Sequence, residues 1–146
     1  GLDCTYVRLS QWPLCEEERA HLVPDEFHHR VPPDAVPELV RSCDLLLAPS
    51  WPVEGFGLPA LEAMASGVPA VVSDIPSFRG FASAAATLVE YDSARAFADA
   101  AYRLLRSPRR WRRQRRRGLK LAGAYAEKRA IARIEEALLW ALEQRV

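Results

Sequence analysis

Three short apolar runs, Leu45-Leu46-Leu47, Val71-Val72 and Leu88-Val89, carry no polar alternation, and this feature constrains the fold most. A strand with one wet face alternates, whereas a strand covered on both faces reads as continuous apolar residues. Helical stretches separate the runs. Residues 16–22 and 34–42 have helical spacing, the second with Val36, Leu39 and Val40 on one side. Such an alternation of buried strands and helices specifies an α/β fold with a parallel sheet flanked by helices. The expected strands are 5–9, 27–31, 44–48, 70–73 and 87–90.

Later helices announce themselves through their ends. Asp92 or Ser93 can cap a helix carrying Phe97, Ala101, Leu104 and Leu105. Ser107-Pro108 has the form of a cap and first helical residue. The stretch 127–145 places Ile131, Ile134, Leu138 and Leu142 on one stripe, which calls for a partner surface.

Between the third and fourth strands, Glu54-Gly55-Phe56-Gly57-Leu58-Pro59-Ala60-Leu61-Glu62 puts two carboxylates around one helix start. Pro59 fits the first helical position, Gly67 the residue beyond the helix end, and Pro69 stops continuation, which delimits a helix over 58–66. First-turn amides have no partner inside a helix, so this terminus can receive an anion, and Gly55 and Gly57 keep side chains out of its way. A carboxylate beside a phosphate needs hydrogen-bond donors of its own. Sugar hydroxyls supply them. On their own, the two glutamates would equally be a loop charge and a solvated helix residue favouring the dipole.

The surrounding blocks decide between these readings. V-P-P-D-A-V-P-E-L-V-R-S-C (31–43), D-L-L-L-A-P-S (44–50), E-G-F-G-L-P-A-L-E-A-M-A-S-G-V-P-A-V-V-S-D (54–74) and I-P-S-F-R (75–79) resemble, in order and spacing, the retaining glycosyltransferases of family four, which have the GT-B fold and an E-x7-E signature. The resemblance covers about residues 26 to 146. It implies a Rossmann-like C-terminal, donor-binding lobe with strand order 3-2-1-4-5-6, whose first strand is not identifiable ahead of residues 5–9. It also implies an N-terminal acceptor lobe that these residues do not contain. Residues 1–126 would be the partial nucleotide-sugar-binding domain, and 127–146 an amphipathic helix packing back on it or on the N-terminal lobe. Gly1 in place of Met fits a fragment or a processed product.

By the same resemblance, the activity is transfer of a hexose from a nucleoside-diphosphate sugar to a saccharide, lipid or small-molecule acceptor, with retention of anomeric configuration. Glu54 would be the catalytic-site carboxylate binding the donor hexose, and Glu62 would bind the ribose hydroxyls. The amides of Gly55, Phe56, Gly57 and Leu58 would meet the sugar and distal phosphate, Val31 and Pro32 would border the base, and Ser50 lies on the same edge. No cofactor and no metal are implied, and the chain has no D-x-D triplet. Arg79 either faces a phosphate or is structural; Gly80 stands where the family often has Glu. A non-catalytic nucleotide-sugar-binding or interaction module is the alternative.

Other chemistries fit less well. Cys15, His21, His28 and His29 follow no familiar zinc spacing. G-x-S-x-G, a P-loop and G-x-G-x-x-G are absent from the sequence. The three cysteines are odd in number, which fits reduced thiols and a cytoplasmic protein.

Charge is unevenly distributed. Residues 1–101 hold 6 Arg against 15 acidic residues, whereas residues 102–146 hold 12 Arg and 2 Lys against 4 Glu, so balances of −9 and +10 make up the net +1. Arg109, Arg110, Arg112, Arg113, Arg115, Arg116 and Arg117 surround Trp111 and spread around most of a helix. They read as a solvated face, partly paired with the acidic portion, or as peripheral attachment to an anionic membrane at the inner face. Nucleic acid is disfavoured because no recognised module accompanies the charge.

Overall fold

A computed structural model describes residues 3–21 and 23–144. The chain divides at Ser42 into two compact units, Gly1–Ser42 and Cys43–Val146.

The first unit is a β-α-β-α segment: β1 (Val7–Ser10), α1 (Glu16–His21), β2 (Glu26–His29) and α2 (Val36–Arg41). β1 and β2 pair in parallel with Val7 opposite Glu26 and Ser10 opposite His29. Both strands differ slightly from expectation, for local reasons. Tyr6 is held outside β1 by Asp25, whose Oδ2 accepts the Tyr6 N–H at 2.6 Å. Arg30 takes a left-handed φ of 54°, which ends β2 before Val31. The expected end of α1 at Leu22 lies outside the described residues. α1 is started by a reciprocal pair in which the Cys15 N–H donates to Glu18 Oε2 and the Glu18 N–H donates to Cys15 Sγ, a capping box with sulfur in place of the usual hydroxyl. Among its described residues this unit has no buried one.

The second unit contains β3 (Leu46–Ala48), α3 (Leu58–Ala65), β4 (Ala70–Ser73), α4 (Pro76–Phe81), β5 (Thr87–Val89), α5 (Ala94–Leu105), α6 (Pro108–Ala122), a 3₁₀ turn (Gly123–Tyr125) and α7 (Glu127–Glu143). Its sheet is parallel, in the order β3-β4-β5. Leu45, expected as the second residue of β3, precedes it, because the ladder opens with the Leu46 N–H donating to the Pro69 carbonyl. The two sheets, β1-β2 and β3-β4-β5, have the pairings that the six-strand order leaves when its first strand is removed.

β4 is buried along its whole length, and its alternation sends side chains into two cores. Ala70 and Val72 pack with Ala60 and Met64 of α3 and with Ile75, Phe78 and Phe81. Val71 packs on the other side with Phe97 and Leu104 of α5. The apolar Val71-Val72 run of β4 is thus covered on both faces, as its sequence requires. α4 was not apparent from the sequence, since six residues show little periodicity, yet it supplies Phe78, fully buried in the first core. α6 adds Gln114, Gly118 and Ala122 as its buried face. Gly118 is the contact point, because a Cβ there would lie 3.2 Å from Met64 Cγ.

The expected caps of the last helices are present. Ser93 Oγ accepts the Ala96 N–H at 3.2 Å and Ser107 Oγ accepts the Arg110 N–H at 3.4 Å. Along α7 the stripe Ile131, Ile134, Leu138 and Leu142 is exposed. Among the described residues, no helix is long and apolar enough to cross a membrane.

Candidate functional site

The loop after β3 and the start of α3 form a single hydrogen-bonded unit. Glu54 Oε1 accepts the Gly57 N–H at 2.9 Å, and the Gly57 carbonyl accepts the N–H groups of Ala60 at 3.0 Å and Leu61 at 3.4 Å. Gly57 makes this possible by adopting φ 83°, ψ 50° as the residue before the helix, a conformation that costs any side-chain-bearing residue about 1–2 kcal/mol. α3 then begins at Leu58, so Pro59 is its second residue and not its first. Its far end is a Schellman motif. Gly67, at φ 76°, donates to the Met64 carbonyl and Val68 donates to the Ala63 carbonyl.

Two consequences follow for ligand chemistry. The Gly57 amide is occupied by Glu54, so of the four expected amides only those of Gly55, Phe56 and Leu58 remain without a protein partner among the described residues. Among the described residues Glu54 Oε2 has no partner, so the same carboxylate that shapes the loop retains an acceptor for a ligand hydroxyl. Glu62, one helical turn on, is exposed, and its carboxylate has no hydrogen-bond partner among the described residues, while its backbone carbonyl accepts the Ser66 N–H at 2.9 Å. Ser50 is half-buried at the start of the loop, its N–H donating to the Ala48 carbonyl at 2.9 Å.

Aromatic side chains hold the loop. Phe56 stacks on Phe81 at 4.7 Å between centroids with planes 8° apart, and Tyr125 meets both rings edge-on. Trp51 meets Tyr91 at 5.6 Å, joining the segments that leave β3 and β5 across the carboxyl end of β4. Neither tyrosine was singled out from the sequence. Each lies far along the chain from its partner, and only the sheet order brings them together.

Arg79 is paired with a carboxylate of its own chain. Its Nε donates to Asp74 Oδ1 at 2.6 Å and its Nη2 to Oδ2 at 3.0 Å, a bidentate pair at the end of β4. The hydrogen bond from Arg79 holds the Asp74 carboxyl below its ordinary range, and the same bond raises Arg79.

Val31 and Pro32 belong to the first unit. The Pro32 carbonyl accepts the N–H groups of Ala35 and Val36, so the peptide groups of Val31 are what this pair still offers a ligand. In the same unit, Cys15 is engaged in the α1 cap, the His28 ring contacts Glu26 Oε2, and the His29 ring contacts the Gln11 carbonyl. Among the described residues, no three His, Cys, Asp or Glu side chains gather as a metal site. Among the described residues, Cys4, Cys15 and Cys43 are not joined in a disulfide.

A parallel α/β sheet carries its ligands beyond the carboxyl ends of the strands. The Ser50–Glu62 segment leaves β3 at that edge and offers hydroxyl acceptors beside unpartnered amides. The chain belongs to the family of glycosyl transferases group 1, whose profile matches residues 20–121. It is 41% identical over 71 residues to the lipopolysaccharide core biosynthesis mannosyltransferase LpsB of Rhizobium meliloti, a stretch that is 45% of this chain and 20% of the relative. Its fold matches that of sucrose-phosphate synthase from Thermosynechococcus elongatus with a TM-score of 0.73 and 24% identity, covering 89% of this chain and 33% of the other. HepE of Anabaena, in complex with UDP, matches with a TM-score of 0.69 and 18% identity over 82% of this chain and 32% of that one. The C-terminal domain of a group 1 glycosyl transferase, LpcC, from Francisella tularensis matches with a TM-score of 0.61 and 25% identity, covering 73% of this chain and 56% of that one. The fold is therefore that of the C-terminal lobe of a GT-B glycosyltransferase. The chain spans about a fifth of the length of the mannosyltransferase relative and about a third of the first two structures.

Proposed function

We propose that this chain is the donor-binding portion of a retaining hexosyltransferase that uses a nucleoside-diphosphate sugar. The observation that carries the reading is the Glu54–Gly57 hydrogen bond. It fixes the carboxylate at the mouth of α3 with one oxygen free for a sugar hydroxyl, while the neighbouring amides of Gly55, Phe56 and Leu58 are available to a phosphate. In this reading Glu54 holds the donor hexose and Glu62 the ribose. Val31 and Pro32 border the base and Ser50 lines the entrance. The UDP bound in HepE supports a nucleotide ligand for a chain of this fold. Departure of a nucleoside diphosphate develops negative charge that helix amides stabilise without a metal.

The acceptor, a saccharide, lipid or small molecule, is assigned to an N-terminal lobe, and the enzyme acts in the cytoplasm. Positioning of two substrates supplies a large part of a transfer rate, so the 146 residues alone are expected to transfer no sugar. Calorimetric titration with uridine, guanosine and adenosine diphosphates tests the proposal. Binding of one of them, weakened by about 1–3 kcal/mol in Glu62→Ala, is the expected result. Absence of heat with all three in a folded protein containing both lobes rules the donor site out.

A further inference from the structure

The seven arginines of α6 are not equivalent. Arg115, exposed, lies against the end of α3: its guanidinium is 5.7 Å from the Trp111 ring centroid and its Nε would sit 3.0 Å from a Cβ on Gly67. Arg109, Arg112 and Arg116 follow one helical ridge. Arg110, Arg113 and Arg117 follow another at the same spacing, and this second ridge walls a groove of about 560 Å³ beside β5. Arg103 of α5 adds a fourth guanidinium to the lining.

The base of the groove is built rather than incidental. Gln114, 9% exposed, donates through Nε2 to the Ala70 carbonyl at 2.6 Å and holds the Thr87 hydroxyl at its Oε1. Because Val89 turns its carbonyl to the Asp74 N–H, the ladder directs the Leu88 N–H and C=O to the open edge of β5. The acidic members of the lining are Glu90 and Asp99, and Asp99 already lies 4.0 Å from Arg95. Among the described residues, Arg103, Arg110, Arg113 and Arg117 form no ion pair, so the expected pairing of the cluster with the acidic portion of the chain does not occur for them.

The geometry points to a second anion site in this groove, taking a phosphate-bearing ligand. Guanidinium groups suit phosphate because their planar N–H pairs bind its oxygens bidentately. The volume falls in the range of small-molecule sites, about 300–1,000 Å³. The groove shares no residue with the Glu54 loop, which leaves β3 at the opposite edge of the three-stranded sheet, about 10 Å away by strand spacing. This site therefore stands or falls independently of donor binding. The shared chemistry is the phosphate group, and its source is either a soluble phosphate compound or a phospholipid headgroup.

Two charge-matched triple variants of the full chain provide the test: Arg110→Gln/Arg113→Gln/Arg117→Gln in the groove and Arg109→Gln/Arg112→Gln/Arg116→Gln on the outer ridge. All six side chains are exposed, so both should melt as the parent does; should the groove triple fail to fold, Arg113→Gln alone replaces it. The probes are inorganic pyrophosphate, followed by calorimetry, and vesicles of phosphatidylcholine with or without phosphatidylglycerol, followed by flotation. We expect the groove variant to weaken binding by about tenfold or more and the outer variant by less than about threefold at moderate salt. Selective loss with pyrophosphate assigns a soluble ligand. Selective loss with anionic vesicles and no pyrophosphate binding assigns a headgroup. Equal losses in the two triples, or no binding of either probe, overturn the site.

Discussion

The Phe78 ring occupies the space that a side chain on Gly57 would need: a Cβ there would lie 2.2 Å from Phe78 Cε1. The hydrophobic core thus abuts the candidate site directly, and Gly57 is required twice, for its left-handed backbone and for this contact. Gly57→Ala should destabilise the chain by about 2–4 kcal/mol from backbone strain and overpacking together. Because the two causes share one site, adding Phe78→Leu should recover part of the loss, giving a non-additive pair. Denaturant unfolding of the three variants measures this. A loss of only about 1–2 kcal/mol, that of the backbone alone, with no recovery from Phe78→Leu would show that the ring moves freely, and a loss below about 0.5 kcal/mol, the range of an ordinary surface change, would overturn both causes.

The two units differ in what holds them. β4 is buried at every position, whereas the first unit has no buried residue among those described and rests on one two-stranded ladder. Such a ladder is marginal without a covered face. Backbone amides of β1 and β2 are therefore expected to exchange with solvent at least about tenfold faster than those of β4, because they open locally without global unfolding. Hydrogen exchange read by mass spectrometry resolves the two segments. Equal protection would contradict the difference in burial.

Much of this architecture was legible in the sequence because its signals are local. Non-alternating runs marked β3, β4 and β5, hydroxyl residues marked the starts of α5 and α6, and Pro59 and Gly67 bounded α3 to within one residue. What escaped depends on tertiary placement. Arg30 ends β2 with a left-handed backbone that no arginine advertises. α4 is too short for its two phenylalanines to define a face, and a glutamine inside an arginine run gives no sign that it will be buried. At the site, the carboxylate pair was visible as a spacing. That Glu54 consumes the Gly57 amide was not, since four amides in a row look alike until the backbone turns one of them toward the carboxylate.

The Asp74–Arg79 pair predicts a pH signature. Asp74 has its carboxyl lowered mainly by the hydrogen bond from Arg79, so its stabilising contribution is fully present above the unfolded carboxylate pKa of about 4. It is lost as pH falls through the still lower folded value. Asp74→Asn should accordingly melt below the parent at neutral pH and at pH near 5, with the gap closing under about pH 4. Both groups are exposed enough for solvent to screen the interaction, so the gap should also shrink in high salt. Thermal melts across that range at two salt concentrations give the answer. A gap that persists unchanged into acid would assign the effect of the substitution to something other than the charge.

The contact between Trp51 and Tyr91 predicts a clamp on the loop. It tethers the loop at one end, while Phe56 on Phe81 tethers the other, and Glu54 lies between them. Trp51 and Tyr91 are 62% and 41% exposed, so removing either ring should cost little core packing. An aromatic pair contributes about 0.5–1.5 kcal/mol beyond its buried area, which corresponds to about a two- to tenfold change in the population of the closed loop. Tyr91→Ala is therefore expected to speed exchange of the Gly57 amide, whose hydrogen bond to Glu54 forms only in the folded loop, by that factor. Protection in β4 should be unchanged. If the donor site is as proposed, affinity for the nucleoside diphosphate should fall by a similar factor. Residue-resolved exchange separates the two effects. Uniform acceleration through β4 would reveal a global loss of stability, and unchanged exchange at Gly57 would show that the Phe56 contact alone holds the loop.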